Sequence, residues 1–129
     1  MLLTKRNEYA LQGMILLARQ KPGNSLTAAG LARTLKTTPA FMSKIAQQLA
    51  GTGLIKSRRG KGGGLFLARN ADAILVRDIF GAVDGRLSVS ACINEGRCKH
   101  LVCPLYPVLS QVQKGLDQKL NSAKLSTFI

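Results

Sequence analysis

Three thiols fall within twelve residues, in the run Cys92-Ile-Asn-Glu-Gly-Arg-Cys98-Lys-His-Leu-Val-Cys103, and the chain has no other cysteine. Thiolates are soft ligands, and three that converge from one loop can hold a metal centre. Arg97 and Lys99 stand beside them and favour ionised sulfur. An odd count argues against a simple disulfide framework, which leaves metal or redox chemistry as the better expectation in a reducing compartment. Gaps of five and then four residues match neither a CxxC zinc knuckle nor the ferredoxin runs, so spacing alone does not name the metal. His100, the only histidine, is a candidate fourth ligand, although a lone loop histidine is more often just solvated. Buried, inert cysteines are the plain alternative.

Positive charge is the second chemical feature. Lys and Arg number 19 against 6 Asp and Glu, for a net charge of +13. Residues 1–70 hold twelve of the basic residues and one acid, Glu8, whereas residues 71–129 hold seven basic and five acidic residues. A basic half joined to a near-neutral half is the pattern of a polyanion-binding module with something attached. Aromatics make up only 5% and Trp is absent, which disfavours an anionic membrane surface as the partner. No apolar run approaches the roughly 20 residues of a bilayer span. The apolar start is followed at once by Lys5, Arg6 and Glu8, unlike a signal peptide, so a cytoplasmic protein is expected. Nucleic acid is the favoured partner.

The elements that must position these groups read mainly as helix. Residues 4–20 form a helix with Leu11, Met14, Ile15 and Ala18 recurring at three- and four-residue spacing. Pro22-Gly23-Asn24 ends it. Ser25 or Thr27 can cap a second helix with Leu31, Ala32 and Leu35 on one face. After Lys36-Thr37, Thr38 caps a third helix with Pro39 at its first position. Phe41, Ile45 and Leu49 are its expected core side, and Gly51 its expected end. Two helices joined so tightly make a helix-turn-helix pattern, whose second member meets base edges. Thr38, Ala40, Ser43, Lys44 and Gln47 are the residues expected to face out. Lys can donate to guanine, Gln can pair with adenine, Ser and Thr serve either, and Ala can touch a thymine methyl. An ordinary amphipathic helix with a polar outer face is the competing interpretation.

Strands are expected at Leu54–Arg58 and Leu65–Leu67, flanking Arg59-Gly60-Lys61-Gly62-Gly63-Gly64. That glycine spacing is neither GxGxxG nor a Walker A sequence, which disfavours a nucleotide cradle. As a wing tip, its glycines let backbone approach backbone closely. Arg58, Arg59 and Lys61 would then meet phosphates or the minor groove. A fourth helix is expected over Asp72–Val83, a loop from Gly85 to Cys103, and a long helix from Pro104 with Leu105, Val108, Leu109, Val112, Leu116 and Leu120 on one stripe. No nucleophile–base pair or paired carboxylates point to an enzyme.

Leu3-Thr4-Lys5 through Tyr9-Ala10, the Arg59–Leu65 wing motif, and Val83-Asp84 ahead of the cysteines together resemble the IscR/NsrR-type (Rrf-type) family of bacterial winged-helix regulators. The resemblance implies a mainly α fold with a small β-hairpin wing. It divides the chain into a winged helix-turn-helix domain (1–84), a cluster-binding loop (85–103) and a dimerisation helix with its tail (104–129). It further implies a homodimeric DNA-binding regulator, expected to be a repressor. Its sensor would be an iron–sulfur cluster, two-iron–two-sulfur or four-iron–four-sulfur, responding to iron status, redox state or nitric oxide. Cys92, Cys98 and Cys103 are the ligands so implied. IscR-like members carry a ligand histidine three residues after the last cysteine; here that residue is Tyr106, more in keeping with packing or an interface. NsrR-like members take an acidic ligand from the partner's first helix, where Glu8 is the matching residue. Glu8 has an equally ordinary role as the ion-pair partner of Lys5 or Arg6. Two rivals stand beside this expectation: a cluster-free, thiol-based DNA regulator, and a small iron–sulfur electron carrier.

Overall fold

The computed structural model describes residues 3–22, 24–94 and 103–129. Helix α1 runs over Lys5–Ala18, started by the Thr4 hydroxyl, which accepts from the Asn7 N–H at 3.1 Å. Its buried stripe is Asn7, Ala10, Gly13, Met14 and Leu17. Of the four expected core positions only Met14 is fully buried; Leu11, Ile15 and Ala18 pack at its margins. The small residues Ala10 and Gly13 lie on this buried face, and Gly13 faces Met42 and Leu31 of the neighbouring helices.

Helix α2 (Ala28–Thr34) is capped by Thr27, which accepts from the Gly30 N–H at 2.9 Å, and buries Leu31 and Ala32. Lys36 then takes a left-handed conformation, φ 57°. Thr37 N–H donates to Ala32 O (2.9 Å) and Lys36 N–H to Arg33 O (3.3 Å), the paired bonds of a Schellman stop. A lysine in this conformation costs about 1 kcal/mol, offset by the tight reversal it permits. Helix α3 (Pro39–Gly51) follows at once, its Phe41 N–H donating to the Thr38 hydroxyl at 3.2 Å. It buries Met42, Ile45, Ala46 and Leu49. Phe41 is half-buried, edge-on to Tyr9 with ring centres 5.5 Å apart. Gly51 is not the stop but the last helical residue. Gly53 makes the left-handed turn at φ 77°, with Leu54 N–H to Leu49 O at 3.1 Å and Gly53 N–H to Ala50 O at 3.0 Å.

Strands β1 (Ile55–Arg58) and β2 (Gly64–Leu67) pair antiparallel, Ile55 opposite Leu67 and Arg58 opposite Gly64. Leu26, ahead of α2, adds a bridge on the far side of β2: Leu65 N–H donates to Leu26 O at 2.8 Å.

The expected helix over 72–83 is divided. A 3-10 turn at Ala71–Ala73 is followed by extended Ile74 and Leu75, and only then by α4 (Val76–Asp84). The extended pair is held from far along the chain. Leu125 N–H donates to Ile74 O and Val76 N–H to Ala123 O, both at 2.9 Å. Ile74 is thereby completely buried, alongside Val76, Ile79, Phe80 and Val83 of α4. A short helix α5 (Ala91–Asn94) lies in the segment expected to be loop, and the long helix α6 covers Tyr106–Ser122. One continuous core joins Met14, Met42, Ile45, Leu54, Ile74, Ile79 and Leu125, so the far C-terminal segment shares the core of the N-terminal helices.

Candidate nucleic-acid interface and cysteine segment

The core side of α3 leaves an opposite stripe free. Ala40, Lys44 and Gln47 are exposed on it, at the three- and four-residue spacing of one helical face. Thr38 is also exposed; its hydroxyl accepts from Phe41 N–H, which leaves its O–H and one lone pair for a base or phosphate. Ser43 departs from expectation: it is half-buried on the flank of the helix. It lies one residue from Met42, at the boundary between the core side and the open side.

In the wing, Arg58, Arg59 and Lys61 are all exposed. Arg58 is not loose. Its guanidinium lies over the Phe66 ring, 4.9 Å from the centroid; Phe66 is two residues beyond Gly64, the cross-strand partner of Arg58. An interaction of this kind contributes about 0.5–1 kcal/mol at an exposed site and points the charge in one direction. The tip requires glycine at particular places. At Gly63 a Cβ would come within 2.2 Å of the Arg58 carbonyl oxygen, and at Gly64 within 2.8 Å of the Ser25 hydroxyl oxygen. Ser25 donates to the Gly63 carbonyl at 2.6 Å. By sequence Ser25 reads only as a helix cap; its role in holding the wing depends on a pairing across 38 residues.

Cys92 lies on α5 and Cys103 just ahead of α6; both are free thiols and half-buried. The Ser90 hydroxyl is 3.1 Å from the Cys92 sulfur, within reach to donate to a thiolate. Cys98 and His100 lie outside the described residues. The approach to this segment is fixed by Gln113, buried on α6. Its amide accepts from Val89 N–H at 2.9 Å and donates to Leu87 O at 3.0 Å and to the Asp117 carboxylate at 2.9 Å. Arg86 adds a 2.8 Å ion pair with Asp117. That guanidinium hydrogen bond, with a smaller contribution from Gln113, holds the Asp117 carboxyl below the usual carboxylate range. Glu8 is partly exposed on α1 and pairs with Lys5 at 3.1 Å, raising the lysine pKa. Tyr106 opens α6, half-buried.

Comparison with known proteins decides the family. The sequence profile of Rrf2, described as iron-dependent transcriptional regulator, matches residues 3–129. The chain belongs to the Rrf2 family. It is 27% identical over 99 residues to the HTH-type transcriptional regulator IscR of Escherichia coli O1:K1, a match covering 77% of this chain and 61% of that one. Its fold is similar to that of CymR, the global cysteine regulator of B. subtilis, with TM-score 0.81 and 23% identity over 98% of this chain and 94% of CymR. T. potens IscR also matches, with TM-score 0.74 and 24% identity over 98% of this chain and 84% of that one. The Rrf2 chain is therefore a DNA-binding transcriptional regulator with a winged-helix fold, not an enzyme, and the electron-carrier alternative falls. Among the described residues no helix is long and apolar enough to cross a membrane.

Proposed function

We propose that this Rrf2-family chain acts as a homodimer, reading duplex DNA with Ala40, Lys44 and Gln47 of α3 while Arg58, Arg59 and Lys61 of the wing hold the backbone. DNA affinity is switched by an iron–sulfur cluster on Cys92, Cys98 and Cys103. The observation that carries the sensor is the position of the free thiols Cys92 and Cys103, at the two ends of the segment between the reading domain and α6. The family's description as iron-dependent supports it. The donor chemistry fits: half-buried thiols are the soft sulfur donors of iron–sulfur assembly, and the Ser90 hydroxyl lies within hydrogen-bond reach of the Cys92 sulfur. A bound cluster would supply redox- and nitric-oxide-sensitive chemistry. The chain's own part is to hold the thiols in place through Gln113 and to connect their segment to α3.

Dimerisation is supported by α6. Leu105 is 63%, Val108 57% and Val112 51% exposed, and they lie at helical spacing along one side. An unpartnered apolar stripe on a long helix fits a second copy of the same helix. Glu8, which pairs with Lys5 within its own chain, is the proposed fourth ligand from the partner subunit.

The test is anaerobic purification with iron and acid-labile sulfide assays, followed by binding to a promoter fragment in cluster-loaded and cluster-free forms. Expected are a visible absorbance band lost in each single Cys→Ala variant, a labile band in Glu8→Ala, and unequal DNA affinities for the two forms. Only zinc or no metal in the reconstituted protein would overturn the cluster. In that outcome the free thiols make direct oxidation of Cys92 or Cys103 the second reading. A normal band in Glu8→Ala with loss in His100→Ala would move the fourth ligand to His100.

A further inference from the structure

Four side chains meet where α1, α3 and α4 converge. Arg6 of α1 pairs with the Asp84 carboxylate at 3.3 Å and donates to the Gln48 side-chain oxygen. Gln48 is on α3, and its amide nitrogen donates in turn to the Val83 carbonyl at 3.3 Å. The Thr4 hydroxyl, already the cap of α1, donates to Asp84. Asp84 is the last residue of α4, and the chain turns at Gly85, φ 76°, into the segment that carries the cysteines.

We infer that Arg6, Gln48 and Asp84 form a positioning node that fixes the rotation of the reading helix and carries to it the state of the cysteine segment. Gln48 is one helical turn beyond Lys44, on the same edge of α3. Whatever grips Gln48 therefore sets the angle at which Lys44 and Gln47 face a groove. The grip comes from both sides of the sensor region. Arg6 belongs to the helix that bears Glu8, and Asp84 and Val83 end the helix that leads into the cysteines. The core side of α3 is apolar and packs without direction; the node supplies the directional hydrogen bonds that choose one rotation. Asp84, legible in the sequence only as part of a family motif, thus gains a physical role. The positioning half rests on the DNA-binding function alone. The transmission half rests on the sensor reading proposed above.

The experiment uses full-length wild type, Gln48→Met and Gln48→Glu, each reduced and metal-free and, separately, reconstituted. Methionine keeps the size and removes both hydrogen bonds without changing the basic charge. Glutamate retains the link to Arg6. Binding is measured to the duplex that wild type selects from a random library and to an unselected duplex of equal length. In the metal-free state Gln48→Met is expected to lose about tenfold of its preference for the selected duplex, the scale of one charge-assisted hydrogen bond, with affinity for unselected DNA unchanged. Gln48→Glu should recover most of that preference. In reconstituted protein the ratio between the two states' affinities should shrink toward one in Gln48→Met. Unchanged preference in folded Gln48→Met would overturn the node. Lost preference with an undiminished ratio between states would confine it to positioning and overturn the transmission half. Equal affinities of the two states in wild type would instead count against the sensor reading and the transmission built on it, leaving the positioning half to be decided by the metal-free measurement.

Discussion

Ser25 and Gly63 are joined by a 2.6 Å hydrogen bond from the serine hydroxyl to the glycine carbonyl, and this bond ties the wing to the connector between α1 and α2. Beside it Leu65 pairs with Leu26, so the hairpin is the outer part of a three-strand contact rather than a free loop. Ser25→Ala should loosen the tip without altering the core. One net hydrogen bond of about 1 kcal/mol corresponds to roughly a fivefold loss of affinity, expected equally on selected and random duplexes. Arg59→Ala with Lys61→Ala should also weaken all sequences, and should lower the slope of log affinity against log salt by about one for each phosphate no longer neutralised. A folded double variant with unchanged affinity and slope would remove the wing from the interface.

Lys44 should behave differently. It is exposed on the open stripe of α3 between Ala40 and Gln47. If its ammonium pairs with a guanine edge, Lys44→Ala costs about 1–3 kcal/mol at the preferred site and much less on random DNA. Equal losses on both, measured by competition at fixed salt, would make it a phosphate contact.

What sequence reveals and what it conceals divides along the reach of the interactions. Thr27 and Thr38 are legible as caps because their partners, Gly30 and Phe41, are three residues away. The wing is legible because glycines and arginines sit in one short run. The break at Ile74 and Leu75 is not, because the bonds that extend them come from Ala123 and Leu125. The same holds for Ser25 and Gln48, whose partners lie 38 and 35 to 42 residues away. Gly51 and Gly53 are each reasonable stops for α3 by composition; the 6→1 bond from Leu54 to Leu49 selects the second. The cysteines are conspicuous by type, yet how their segment is held depends on Gln113 from α6, which no local pattern indicates.

The apolar stripe of α6 yields an assembly prediction. Val108→Glu with Val112→Glu places two charges where Val108 and Val112 are now 57% and 51% exposed. In a monomer this is nearly free, since neither side chain is buried. In a dimer that closes over this face it strands charges in an apolar contact, at several kcal/mol. Sedimentation velocity should therefore show wild type as a dimer and the variant as a folded monomer, with DNA affinity reduced by loss of the second reading head. A variant that sediments as a dimer would place the interface elsewhere.

Gln113 offers the sharpest test of how the cysteine segment is held. It is 2% exposed, and its amide is engaged by Val89 N–H, Leu87 O and the Asp117 carboxylate. Gln113→Leu keeps approximate volume and helix propensity while removing every one of these bonds. Two backbone groups lose their partner, at about 1–3 kcal/mol each if they stay buried. The segment can escape part of that cost by peeling away from α6 into water. Global unfolding and local release therefore predict different observations. If the segment stays docked, the melting temperature falls by several degrees for each kcal/mol lost, roughly 3–5 °C in a chain of this size. If it is released, the melting temperature falls less, but amide exchange at Val89 speeds up and Cys92 becomes more reactive to a thiol reagent. Either result supports Gln113 as the clamp; an unchanged melting temperature with unchanged exchange and thiol reactivity would show that the segment is held by other contacts.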